Sequence, residues 1–220
     1  MEVIRVKNLK KTYRSGTVIT DVIKGIDLCV EKGDFVTITG PSGSGKSTLM
    51  YLLSGLEPVT EGDVFINQAN ITKMDDLELS SLRREKIAFV FQFYNLLTEM
   101  TVMDNILLPD LIEKGKVDKE KINEVLEWVG LTGYEHLYPY ELSGGQQQRV
   151  AIARTLYSNP EIIFADEPTG SLDSVSTAKI MDLFQRINKE KGTTIIMVTH
   201  SEKYASVGNK EVHVKDGVLC

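Results

Sequence analysis

The apolar run Phe35–Thr39 (FVTIT) passes without a break into Gly40-Pro41-Ser42-Gly43-Ser44-Gly45-Lys46-Ser47, and the helical pattern Thr48-Leu-Met-Tyr-Leu-Leu follows. The loop fits G-x-x-x-x-G-K-[ST] at every fixed position, and a strand before it with a helix after it is the setting such a loop needs. Glycines at 40, 43 and 45 let the backbone wrap closely, so that successive N–H groups face inward toward phosphate oxygens. The dipole of the new helix adds to this pull on an anion. In such a cradle the Lys46 ammonium reaches the β- and γ-phosphates and the Ser47 hydroxyl takes Mg²⁺. Gly40, Pro41, Ser42, Gly43, Ser44, Gly45, Lys46, Ser47 and Thr48 are therefore the candidate binding set.

Further apolar runs at 87–91 (IAFVF), 162–165 (IIFA) and 194–199 (TIIMVT) are continuous rather than alternating. Strands covered on both faces look like this, as in the parallel sheet of an α/β protein. Helical periods lie between them. Ile122, Val125, Leu126 and Val129 fall at i, i+3, i+4 and i+7, with Gly130 as the stop. Ile180, Phe184 and Ile187 repeat the spacing after the capping pair Asp173-Ser174, and Gly192 ends that run. Residues 1–35, echoed at 62–67 (GDVFIN), alternate and read as antiparallel strands attached to the main sheet. Residues 93–153 carry helix and loop character and read as an insertion between two core strands; within them, charge-rich 113–121 reads as a solvated connection.

The strand at 162–165 ends in Asp166-Glu167-Pro168. In a parallel sheet, ligands gather at the carboxyl ends of the strands, the edge that also carries the glycine-rich loop. Asp166 is placed to organise the Mg²⁺ shell, and Glu167 to polarise an attacking water as general base. Ser143, Gly144 and Gly145 precede a helix expected from Gln146 to about Leu156.

Leu142-Ser143-Gly144-Gly145-Gln146-Gln147-Gln148-Arg149 resembles the signature motif of the ATP-binding cassette (ABC) ATPases. The family's motifs stand in its order over nearly the whole chain: the phosphate loop at 40–48, Gln92, the signature at 142–146, the carboxylate strand at 162–167, Ser171-Leu172-Asp173 and His200. The segments GPSGSGKSTLM, FVFQFYNLL, ELSGGQQQRVAIAR and ADEPTGSLD are most similar to the subgroup serving lipoprotein release, macrolide export, antimicrobial-peptide resistance and cell division. The resemblance implies one α/β P-loop domain over 1–220. It would have a RecA-like core, an antiparallel β-subdomain and a helical subdomain inserted at about 93–153.

It also implies a homodimer in the ATP state, with the signature of each copy gripping the γ-phosphate held by the other. By the same resemblance, His200 contacts the γ-phosphate near Glu167, and Gln92 ligates Mg²⁺ or orders water. Asp173 crosses to the other copy's phosphate loop, although capping the helix that starts at 174 is an equally compatible role. Tyr13 stacks on adenine. Catalysis would fall to Glu167, His200, Gln92 and Lys46, and the metal to Ser47, Gln92 and Asp166. Integral membrane permease subunits would dock near residues 93–105.

Two departures stand out. Ser171 takes the place of a more usual Asn or Ala, and Asn209-Lys210 replaces an acidic residue followed by Arg, which puts a salt bridge there in doubt.

Composition limits the alternatives. The net charge is −6 and the pI about 5.2, which argues against nucleic acid as a main partner. No apolar stretch approaches the ~18 residues of a membrane span, and the start MEVIRVKNLKK lacks a secretory signal. The expected location is cytoplasmic, peripheral on the inner face of the membrane. Cys29 reads as a small core residue and Cys220 as a terminal thiol, with no regulatory domain expected after it. The alternatives within the family are an ATPase that regulates a cell-wall hydrolase in division, and a soluble ATPase that transports nothing. The latter is weakened by one set of motifs and no heptad insertion.

Overall fold

In the computed structural model, which describes residues 1–113 and 118–220, two 14-residue strands open the chain: β1 (Glu2–Ser15) and β2 (Val18–Glu31). They pair antiparallel through a tight turn at Gly16, and several bulges along the ladder bend and twist the pair. β3 (Phe35–Thr39) leads into α1 (Lys46–Leu53), followed by β4 (Glu61–Ile66), β5 (Ala69–Asn70), α2 (Asp76–Lys86) and β6 (Ile87–Phe91). Then come α3 (Val102–Glu113), α4 (Lys119–Val129) and α5 (Gly144–Tyr157), with no strand among the described residues between β6 and β7 (Ile162–Asp166). α6 (Ser174–Lys191), β8 (Thr194–Val198), the single turn α7 (Glu202–Ala205), β9 (Lys210–Lys215) and β10 (Val218–Leu219) complete the order.

The strands form two sheets. An antiparallel sheet runs β2-β1-β4-β5, and a central sheet runs β10-β9-β3-β8-β7-β6 with every pair parallel except the hairpin β9–β10. The period of two sorts the central strands onto two cores. Ile163, Ala165, Ile195 and Met197 face α3, α4, α5 and α6, whereas Ile162, Phe164, Ile196 and Val198 face α1 and the antiparallel sheet. Both faces of β7 are therefore dry, which is why its sequence is apolar without alternation. Phe164 and Phe184 are fully buried, one on each side, and each is worth about 1.5–3 kcal/mol by burial alone.

Parallel register brings four chain exits to one edge. Ile38 pairs with Val198, Val198 with Asp166, and Asp166 with Phe91. The loops that begin at Gly40, Thr199, Glu167 and Gln92 thus leave side by side.

Several expectations need correction. α5 begins at Gly144, two residues before the expected start, because Ser143 caps it in a reciprocal box with Gln146. Gly144 and Gly145 are therefore its first turn. β8 ends at Val198, one residue early: Thr199 N–H still closes the ladder on Ile38 O (3.1 Å), but its hydroxyl accepts from Ser201 N–H and the chain turns away there. Cys29 is half-buried rather than in the core, its thiol donating to Glu2 Oε1 (3.1 Å). Of the charge-rich stretch, 114–117 lie outside the described residues; Asp118 caps α4, so 119–121 are helix rather than connection. At the doubtful pair 209–210 no acid is required. Asn209 accepts from Phe35 N–H (2.7 Å) and donates to Asp34 (2.9 Å).

Candidate active site

The loop from β3 to α1 closes on itself through Gly40, at φ 138; a Cβ there would lie 2.0 Å from Val214 O, so only glycine fits. Gly45, also left-handed, stands at the N-cap of α1 with no side chain capping the helix. The first N–H groups of α1 are thus left for an external acceptor. Lys46 is buried (5% exposed) and donates to Pro41 O of its own loop at 2.8 Å. Burial lowers its pKa, an effect opposed by the nearby charges of Glu167 and Asp166. A buried ammonium bonded to a neutral carbonyl, beside uncapped N–H groups, is the donor set a polyphosphate requires.

Ser47 Oγ donates to Asp166 Oδ1 (3.0 Å), so a helix start and a strand end meet. The hydroxyl and carboxylate are hard oxygen donors of the kind Mg²⁺ takes, and they fit that ion. Glu167 follows at φ 46, its N–H bonded to Val198 O, and His200 Nε2 lies 2.5 Å from its Oε1. A left-handed glutamate is strained backbone, held here by the register of β7 against β8. Val22, Ser42, Gly43, Gly45, Lys46, Ser47, Thr48, Glu167 and His200 line a cleft of about 260 Å³.

The other sequence-selected residues stand outside that lining. Gln92 turns its amide to Ser171 Oγ (3.4 Å) over Gly170 and, among the described residues, makes no hydrogen bond to Ser47 or Asp166. Tyr13 is exposed on β1 with Lys11 Nζ 4.8 Å from its ring centre. Ser143 and Gln146 are occupied with capping each other. A Cβ at Gly144 would lie 2.8 Å from Tyr94 Oη and one at Gly145 2.9 Å from Ser176 Oγ, so both glycines are closely approached by side chains. Asp173 caps α6, and hydrogen bonds hold its carboxyl below the usual range, first that from the Ser176 hydroxyl.

Four residues escape a sequence reading. Val22, an ordinary strand valine, lines the cleft. Tyr51 donates to Asp166 Oδ2 at 2.6 Å, and burial, then that bond, push its pKa far up. Gln148, fully buried on α5, donates to Phe91 O (3.2 Å) and Pro168 O (2.6 Å), clasping the segments on either side of Gln92 and Glu167. Arg154 donates to Tyr94 O and Asn95 O (3.1 and 2.8 Å), both left-handed, and burial lowers its pKa. Gln148 and Arg154 lie in or beside the signature segment, but only tertiary contact gives them a task.

Comparison with known proteins shows the family. The ABC transporter family model matches residues 23–170. The lipoprotein-releasing system ATP-binding protein LolD of Aquifex aeolicus is 46% identical over 98% of this chain and 95% of its own. The macrolide export ATP-binding/permease protein MacB of Bdellovibrio bacteriovorus is 44% identical over 98% of this chain, which spans 33% of that longer protein. The dimeric post-hydrolysis structure of the cassette MJ0796 bound to ADP and Pi superposes with a TM-score of 0.88 at 42% identity, covering 98% of this chain and 96% of that one. The chain belongs to the ABC transporter family, as one of its ATP-binding, ATP-hydrolysing cassettes.

Proposed function

We propose that two copies of the chain close head to tail on ATP and open on hydrolysis, driving integral membrane permease subunits that export or extract a lipoprotein, peptide or drug. The observation that carries this reading is a separation. Among the described residues lining the Lys46 cleft, none comes from 143–146, although the resemblance makes that helix start the grip on a γ-phosphate. A second copy supplies the missing half.

Within one site, Gly40, Pro41, Ser42, Gly43, Ser44, Gly45 and Thr48 wrap the phosphates and Lys46 replaces its own loop's Pro41 O with phosphate oxygens. Tyr13 and Val22 flank the base and sugar. Ser47 and Asp166 would hold Mg²⁺, with Gln92 as a further oxygen donor. That ion would neutralise charge on the β- and γ-phosphates. Glu167 accepts a proton from the attacking water, and His200 holds Glu167 and the γ-phosphate. Ser143, Gly144, Gly145 and Gln146 of one copy, with its Asp173, complete the other copy's site.

Residues 93–153 act as a helical subdomain, with the permease docking near 93–105. Support comes from Phe93 and Leu97, exposed by 74% and 42%. Behind them the fully buried Asn105 accepts from Leu97 N–H and donates to the carbonyls of Leu97, Met100 and Thr101, stiffening the loop. No helix of the described residues is long and apolar enough to cross a membrane. The cassette works peripherally, on the cytoplasmic face of the membrane; the 46% identity to the ATP-binding protein of a lipoprotein-releasing system supports this reading.

The test is sedimentation of Glu167→Gln with and without ATP. The expected outcome is a monomer that becomes a dimer only with ATP; nucleotide bound tightly to a species that stays monomeric would overturn the reading.

A further inference from the structure

Two side chains reach Asp166 from one face of α1. Ser47 and Tyr51 are four residues apart, one helical turn, and so lie one above the other on the side that meets the end of β7. They do not share an oxygen: Ser47 Oγ donates to Oδ1 at 3.0 Å and Tyr51 Oη to Oδ2 at 2.6 Å. A carboxylate with a single donor is free to rotate about its Cβ–Cγ bond, whereas one with a donor on each oxygen is fixed. We propose that Tyr51 is a positioning residue for the divalent cation, holding Asp166 Oδ2 so that Oδ1 stays turned toward Ser47 and the metal.

The two donors are not equivalent. Ser47 is itself a candidate ligand, so its bond to Asp166 is the one exchanged when a cation arrives. Tyr51 sits on the far oxygen and keeps its bond. Packing alone asks only for the ring, since phenylalanine fills the same half-buried space; the hydroxyl adds the grip on Asp166. This inference rests on the reading of Ser47 and Asp166 as part of the metal shell.

The test uses the full chain carrying Glu167→Gln, so that nucleotide persists, with and without Tyr51→Phe. Mn²⁺ binding is followed by electron paramagnetic resonance in the presence of a non-hydrolysable ATP analogue, and binding of a fluorescent ATP analogue is measured in EDTA. One lost hydrogen bond to a charged group should raise the Mn²⁺ concentration at half-saturation about 10-fold, and metal-free nucleotide affinity should stay within about 2-fold. Superimposable Mn²⁺ curves overturn the proposal, and so does a lowered melting temperature with the Mn²⁺ curve unmoved, which would make Tyr51 structural only. Asp166→Asn separates the two failures. If it weakens Mn²⁺ binding and Tyr51→Phe does not, only the role of Tyr51 is lost; if neither variant moves the curve, the metal reading of Asp166 falls with it.

Discussion

His200 Nε2 and Glu167 Oε1 lie 2.5 Å apart, so the residue just beyond β7 and the residue two past β8 meet over the phosphate loop. The contact follows from strand register, since Glu167 N–H bonds to Val198 O. Two groups in such contact act as a unit. Glu167→Gln and His200→Ala should each lower kcat by about 10²–10⁴ while leaving the ATP Kd within a few-fold. The double variant should lose little beyond the worse single. Steady-state rates for all three decide this, and fully additive losses would show that the residues work independently.

The phosphate loop makes two predictions of opposite sign for stability. Gly40→Ala places a methyl 2.0 Å from Val214 O at a φ of 138, so it should both abolish ATP binding and lower Tm. Lys46→Ala removes a cation whose burial outweighs its attraction to Glu167 and Asp166 and which donates to the carbonyl of Pro41, so Tm should hold or rise while ATP affinity falls about 10–100-fold, the worth of a charge-assisted bond. Melting curves and calorimetric titration on the two variants separate a shape requirement from a binding one.

How far the sequence reaches is seen in which elements it signals. β7 and β8 are apolar on both faces, and α6 has clear caps and a buried stripe at Ile180, Phe184 and Ile187, so all three are legible from residues alone. α2 has no buried residue, hence no hydrophobic period; its one local mark is the capping box of Asp75 with Glu78. β9 buries only Val212 and Val214 and alternates as a half-exposed strand does. In the site, Lys46 and Asp166 are legible because loop chemistry and strand-end carboxylates are local patterns. Tyr51 is not. An aromatic on a helix reads as packing, and its partner is 115 residues away.

The shared-site arrangement is tested by crowding the signature. Ser143 lies exposed at the start of α5 and, among the described residues, its side chain bonds only within the helix cap. Ser143→Arg should therefore cost about 1 kcal/mol of cap stability, leave ATP binding by the isolated copy intact, and reduce turnover at least 100-fold by keeping two copies apart. Equilibrium binding alongside turnover at several protein concentrations reads both effects. Full turnover by a dilute variant would mean that one copy suffices.

A pH dependence of stability follows from Glu161, which precedes β7. Its carboxylate accepts from Lys86 Nζ (2.5 Å) and Asn67 Nδ2 (2.8 Å), and its pKa is lowered, first by the Lys86 bond. Folding thus favours the ionised form. The stabilisation is complete above the unfolded carboxyl value of about 4.3 and disappears as pH falls through the depressed native value. Both side chains are partly exposed (41% for Lys86, 35% for Glu161), so solvent screening keeps the effect small. Urea titrations should find Glu161→Gln less stable than the parent at pH 7 and equal to it near pH 3. A deficit that survives at pH 3 would assign the loss to the neutral bond with Asn67 instead of to the ion pair.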